Sequence, residues 1–104
     1  MDYRQLDIHR RESRTFIITP SQPDVDLTAL QFFLEIPDLG WRGLFAPDDG
    51  YPGKLTVRLP RNDIEQLPNH YIPYAIVDET TSDPTVPLYG MMRGVGFSGS
   101  AFGF

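Results

Sequence analysis

The sequence predicts an all-β fold, a small antiparallel sandwich or barrel, and three observations carry that reading. Apolar residues recur two apart in segments 30–36, 55–59 and 72–76, the period of a strand with one buried face. Ten prolines and nine glycines in 104 residues leave no room for long helices. Turn-forming clusters separate the alternating segments, with PSQPD at 20–24 and PDDG at 47–50, where Asp-Gly is a strong tight-turn signal.

Segment 1–13 is polar, with Tyr3, Leu6 and Ile8 as its large apolar residues. The spacing of Leu6 and Ile8 permits a short strand, but the segment is read as an N-terminal arm or edge strand. Residues 14–19 (RTFIIT) form a strand from β-branched and aromatic residues. In 30–36, Leu30, Phe32, Leu34 and Ile36 share one face, and Pro37 ends the strand. Segment 38–53 is irregular, with a short strand expected at 41–45 before the Asp-Gly turn.

The most informative stretch is 54–77. Leu55, Val57 and Leu59 alternate with Thr56 and Arg58, and Pro60 stops the strand. One helical turn is expected over 61–67, with Asn62 or Asp63 as cap and Ile64 and Leu67 on one side. A return strand over 70–77 would complete a central hairpin, with Ile72, Tyr74 and Ile76 facing the core. Pro73 then faces outward, and its missing N–H calls for an edge strand or a nearby bulge. A polar loop at 78–83 leads to a last strand over 86–95. The sum is six or seven short strands, an immunoglobulin-like sandwich or a barrel. The expected layout is an arm over 1–13, a β-sandwich over 14–95 and a Gly/Phe tail over 96–104.

The net charge is −5, concentrated in the body, because Arg4, Arg10, Arg11 and Arg14 offset the acids of the first segment. An acidic body is a poor match for nucleic acid or an anionic membrane. Absence of cysteine excludes disulfides, thiol catalysis and thiolate metal sites. No apolar run approaches membrane-spanning length and the N-terminus has no signal-peptide pattern, so the expected place of folding is a cytoplasm.

Catalytic patterns are missing. His9 and His70 stand apart, with no ligand-spaced neighbour. Asp48 and Asp49 read as turn residues, since Tyr51, Pro52 and Gly53 supply no further calcium ligands. Asp78, Glu79 and Asp83 read as a solvated loop. Asp63 and Glu65 point in different directions on a helical turn. No cofactor, metal or enzymatic activity is expected. The tail sets Phe97, Phe102 and Phe104 among glycines, serines and alanine. It is either a final strand packed on its own domain or an arm that buries these aromatics in a neighbouring subunit. The partner-binding residues expected are Tyr3, Arg4, Arg10, Arg11, Phe97, Phe102 and Phe104.

The order of these pieces is itself suggestive. A strand at 14–19 is followed by Asp26-Leu27-Thr28 leading into a strand. Asp49-Gly50 precedes a strand ending in Leu59-Pro60. A helical turn closed by Leu67-Pro68 leads to a Tyr74-bearing strand, and a last strand lies near Leu88 and Gly90. This arrangement resembles a β-sandwich domain of phage virion proteins, known from the N-terminal part of siphophage upper baseplate proteins, over residues 14–95. Ala29 stands where that pattern usually has glycine, and 41–52 has no counterpart in it. The resemblance implies a non-enzymatic structural protein of a phage particle, in the tail or baseplate or as a head decoration. Its partners would be other virion proteins and further copies of itself, as a trimer or hexamer. It would be made in the host cytoplasm and reside in the virion. The competing expectation is a carbohydrate-binding module, with Trp41, Tyr51, Tyr71 and Tyr89 as an aromatic platform.

Overall fold

The computed structural model describes residues 2–20 and 26–96. It is all-β, built from two sheets. The larger has five strands, in the order β1 (Asp2–His9), β8 (Thr85–Val95), β7 (Ile72–Asp78), β3 (Phe32–Ile36) and β4 (Trp41–Leu44). The smaller has three, in the order β2 (Arg14–Ile18), β6 (Leu55–Leu59) and β5 (Ala46–Pro47).

The alternating segments become the core. Leu55, Val57 and Leu59 of β6, Leu34 and Ile36 of β3, and Ile72, Tyr74 and Ile76 of β7 are all buried. They join Ile8, Phe45, Ile64, Leu67 and Met92 in one apolar cluster between the sheets. Burying each of the larger of these side chains is worth about 2 kcal/mol, which is why the period-two pattern settles which strand face turns inward.

Several expectations are corrected. The larger sheet is mixed, because β1 runs parallel to β8 with Asp2 opposite Leu88 and His9 opposite Val95. No hairpin turn joins these strands, so nothing local forces them to be antiparallel. Residues 2–9 are accordingly the edge strand of this sheet, as the edge-strand reading of the segment expects, and the sandwich begins before residue 14. The expected central hairpin does not form either. β6 pairs with β2 and β5, whereas β7 pairs with β3 and β8. The intervening segment carries the chain from one sheet to the other, so that both apolar faces meet across the core.

That crossing holds the short helix α1 (Arg61–Ile64), which buries Ile64. Its N-cap is Pro60, with no side-chain cap bond, in place of the expected Asn62 or Asp63. Extended Pro60 (ψ 158°) lends its carbonyl to the N–H groups of Asp63 and Ile64. Asp26-Leu27-Thr28 opens a 3-10 turn (Leu27–Ala29) capped by the Asp26 carboxylate on the Thr28 N–H. Pro37 ends β3 by starting a second 3-10 turn, which Gly40 closes at φ +63°, a conformation only glycine adopts without strain.

Pro73 faces outward as expected, yet β7 is an interior strand. Its ladder to β3 runs only from Asp78 to Ala75, so at Pro73 the strand is partnered by β8 alone. The register shift in this strand lies further on, between Ile76 and Asp78.

Candidate functional site

Because Ile72, Tyr74 and Ile76 turn inward, β7 presents Pro73, Ala75 and Val77 to the outside. The strand ladders extend this surface in rows. Tyr3 lies opposite Tyr89, Tyr89 opposite Ala75, Ala75 opposite Glu35, and Glu35 opposite Arg42. Gln5, Met91 and Pro73 form the next row. Val77, Phe33 and Leu44 form the row on the other side. The result is an apolar belt across the outer face of the larger sheet. Tyr3 is 51%, Tyr89 41% and Leu44 52% exposed. The rings of Tyr3 and Tyr89 meet edge-on at 5.2 Å, which fixes both in place.

Ion pairs bracket the belt at each end. Arg42 donates from Nε to Glu35 at 2.8 Å, and its Nη2 pairs with Glu79. The same guanidinium sits 3.6 Å above the Phe33 ring. At the opposite end, Asp7 Oδ1 accepts from Arg93 Nε at 2.9 Å and from the Tyr71 hydroxyl at 2.8 Å. The Arg93 hydrogen bond, followed by that of Tyr71, holds the Asp7 carboxyl below the usual aspartate range. The bond to Asp7 correspondingly pushes the Tyr71 phenol up. Both clusters pin the flanks of the belt in fixed geometry and leave its centre uncharged.

The expected partner-binding residues part company. Tyr3 belongs to the belt. Arg4 lies on the other face of β1, where it lines a cleft between the sheets with Ile17, Ile76 and Leu88. Arg10 is engaged within the fold. Its guanidinium makes four hydrogen bonds, to the Leu67 carbonyl from Nε and Nη2, to the Gly96 carbonyl from Nη1, and to Asn69 Oδ1. Arg11 projects from the turn after β1 and lines a hollow with Arg58. Phe97, Phe102 and Phe104 lie outside the described residues.

The four aromatics expected as a sugar platform are not brought together. Trp41 packs inward against the core, over Gly43 and Val57. Tyr51 sits in the turn beside Lys54, and only Tyr71 and Tyr89 share the outer face. His9 is built into the turn after β1, accepting from the Arg11 N–H at Nδ1, and His70 is exposed before β7. Asp48 caps its own turn, accepting from the Gly50 N–H at 2.9 Å. Among the described residues no group of three or more His, Asp or Glu side chains is placed to hold a metal ion.

Sequence reasoning passed over Phe33, Leu44, Val77 and Met91. The available signal was the outward set of 71–77, which carries no charge at all where a solvated sheet face normally alternates polar residues. Neither protein-family models nor curated proteins give a match to this sequence.

Proposed function

We propose that this protein is a non-enzymatic structural subunit of a phage particle, which assembles through the outer face of its larger sheet. The observation that carries the reading is the belt itself. Exposed Tyr3, Tyr89 and Leu44 surround an uncharged centre of Ala75, Val77 and Met91 on a regular sheet. Interfaces favour such surfaces, since tyrosines anchor contacts at low entropic cost and flanking charges set orientation. The order of strand and turn motifs, which resembles the virion β-sandwich domain, supports the phage setting and a place in the tail, baseplate or head shell. Its partners are further copies, as a trimer or hexamer, and other virion proteins.

The test is size-exclusion chromatography with light scattering on the full chain, beside a Tyr89→Lys, Leu44→Lys double variant. A ring-sized oligomer for the parent and a folded monomer for the variant is the expected pair. Each substitution should weaken association by roughly tenfold, about 1.4 kcal/mol. A parent that stays monomeric at all concentrations and ignores other virion proteins overturns the proposal.

A further inference from the structure

A group of arginines lies away from the belt, at the end of the smaller sheet. There the turn after β1, the last residues of β6 and the start of α1 border an open surface hollow of about 360 Å³. Arg11, Arg58 and Arg61 line it, together with Ser13, Pro60 and Asn62. Arg58 reaches the Ser13 hydroxyl at 3.4 Å, and Arg61 has Glu65 at 3.8 Å. Among the described residues, neither Arg11 nor Arg58 forms an ion pair. On a chain of net charge −5, this is a local field of the opposite sign.

We propose that this hollow is a binding site for a phosphate-type oxyanion. Three guanidinium charges, less the one that Glu65 offsets, leave two positive charges, which matches a dianion better than a single carboxylate. Guanidinium groups present paired N–H donors suited to phosphate oxygens. They stand on two stretches of chain, 11–13 and 58–62, that the fold brings together around the hollow. The Ser13 hydroxyl and the Asn62 amide add neutral donors. Without an anion the arginines repel one another, so occupancy stabilises the fold by mass action.

The experiment is thermal unfolding of the full chain against inorganic phosphate, with sodium chloride at equal ionic strength as control. Arg58→Gln and Arg11→Gln run alongside. Phosphate should raise Tm along a saturating curve that chloride does not reproduce, and each variant should move the midpoint to roughly tenfold higher phosphate. In chloride alone, Arg58→Gln should keep or raise Tm, because it removes repulsion. An arginine with a purely structural role would lower Tm equally in both salts. The arginine Nε–H NMR signals of Arg11 and Arg58 should move with phosphate. O-phosphoserine in place of inorganic phosphate separates the sources: tighter binding assigns the site to phosphate monoesters, weaker binding to the free ion. A phosphate effect equal to chloride's, or one undiminished in both variants, overturns the proposal.

Discussion

The Tyr74 hydroxyl donates to the Arg4 main-chain carbonyl at 3.2 Å, reaching over Gly90 to do so. Arg4, Gly90 and Tyr74 stand in one row across β1, β8 and β7. A Cβ built on Gly90 would lie 1.7 Å from the Arg4 oxygen, so only glycine lets β1 settle here. Tyr74→Phe should cost about 1 kcal/mol, the worth of one neutral hydrogen bond. Gly90→Ala should cost on the order of 3 kcal/mol through overpacking against main chain. Chemical denaturation measures both losses. Hydrogen exchange should show the Gly90→Ala loss concentrated in the amides of β1; uniform loss across the fold would contradict this account of the row.

Burial first of all pushes the Tyr74 phenol above its ordinary value, because the folded state favours the neutral ring. The stability this represents is complete below the ordinary tyrosine pKa and is lost as pH rises through the folded value. An ultraviolet titration should therefore show a late-ionising tyrosine component, and Tyr74→Phe should diminish it.

Arg10 closes the opposite end of the sandwich. It links the turn after β1 to the Leu67 carbonyl and to Gly96 at the end of β8, while its own N–H donates to Val95. Lysine has a single ammonium and cannot reproduce this fork. Arg10→Lys should cost about 2 kcal/mol, within the range of hydrogen bonds to a charged group. A loss no larger than that of Arg11→Lys would show that the bonds to Leu67 and Gly96 contribute nothing.

Much of the inward face was legible, and the reason is periodicity. Leu55, Val57 and Leu59 and then Ile72, Tyr74 and Ile76 each repeat every second residue, and burying one face selects that register. Strand partners were not legible in the same way. Leu6 lies opposite Met92, and no short-range pattern ties residues so distant along the chain. The same limit hid the roles of Gly90 and Arg10, which depend on what β1 and the 67–69 segment bring beside them. The belt was half legible. Its β7 portion follows from the alternation of 71–77, but Phe33 and Leu44 join it only through the ladders of β3.

The Asp7 cluster gives a pH dependence of the other sign. Its carboxyl lies below the ordinary range, chiefly through Arg93 and then Tyr71. A lowered folded value contributes stability above the unfolded pKa, and that contribution fades as pH falls through the folded value. Carbon-detected NMR titration should place Asp7 below the ordinary aspartate value. Arg93→Gln should bring it back toward that value and flatten the acid limb of stability. An Asp7 value unmoved by Arg93→Gln would mean that the ion pair does not form in solution.

Trp41 separates the two functional expectations. Its ring covers Gly43, where a Cβ would meet Trp41 at 2.5 Å and Val57 at 2.8 Å. It also lies opposite buried Ile36 on the inward side of β4. A side chain so placed serves packing, and truncating it leaves a hole that neighbouring atoms fill only in part. Trp41→Ala should therefore destabilise the fold by roughly 2 kcal/mol, below the usual cost of truncating a fully buried aromatic because the ring is only half-buried. Indole fluorescence should report a partly shielded environment that soluble oligosaccharides leave unchanged. A variant of parental stability that loses selective binding on a glycan array would reverse this assignment and turn Trp41 into a sugar-stacking residue.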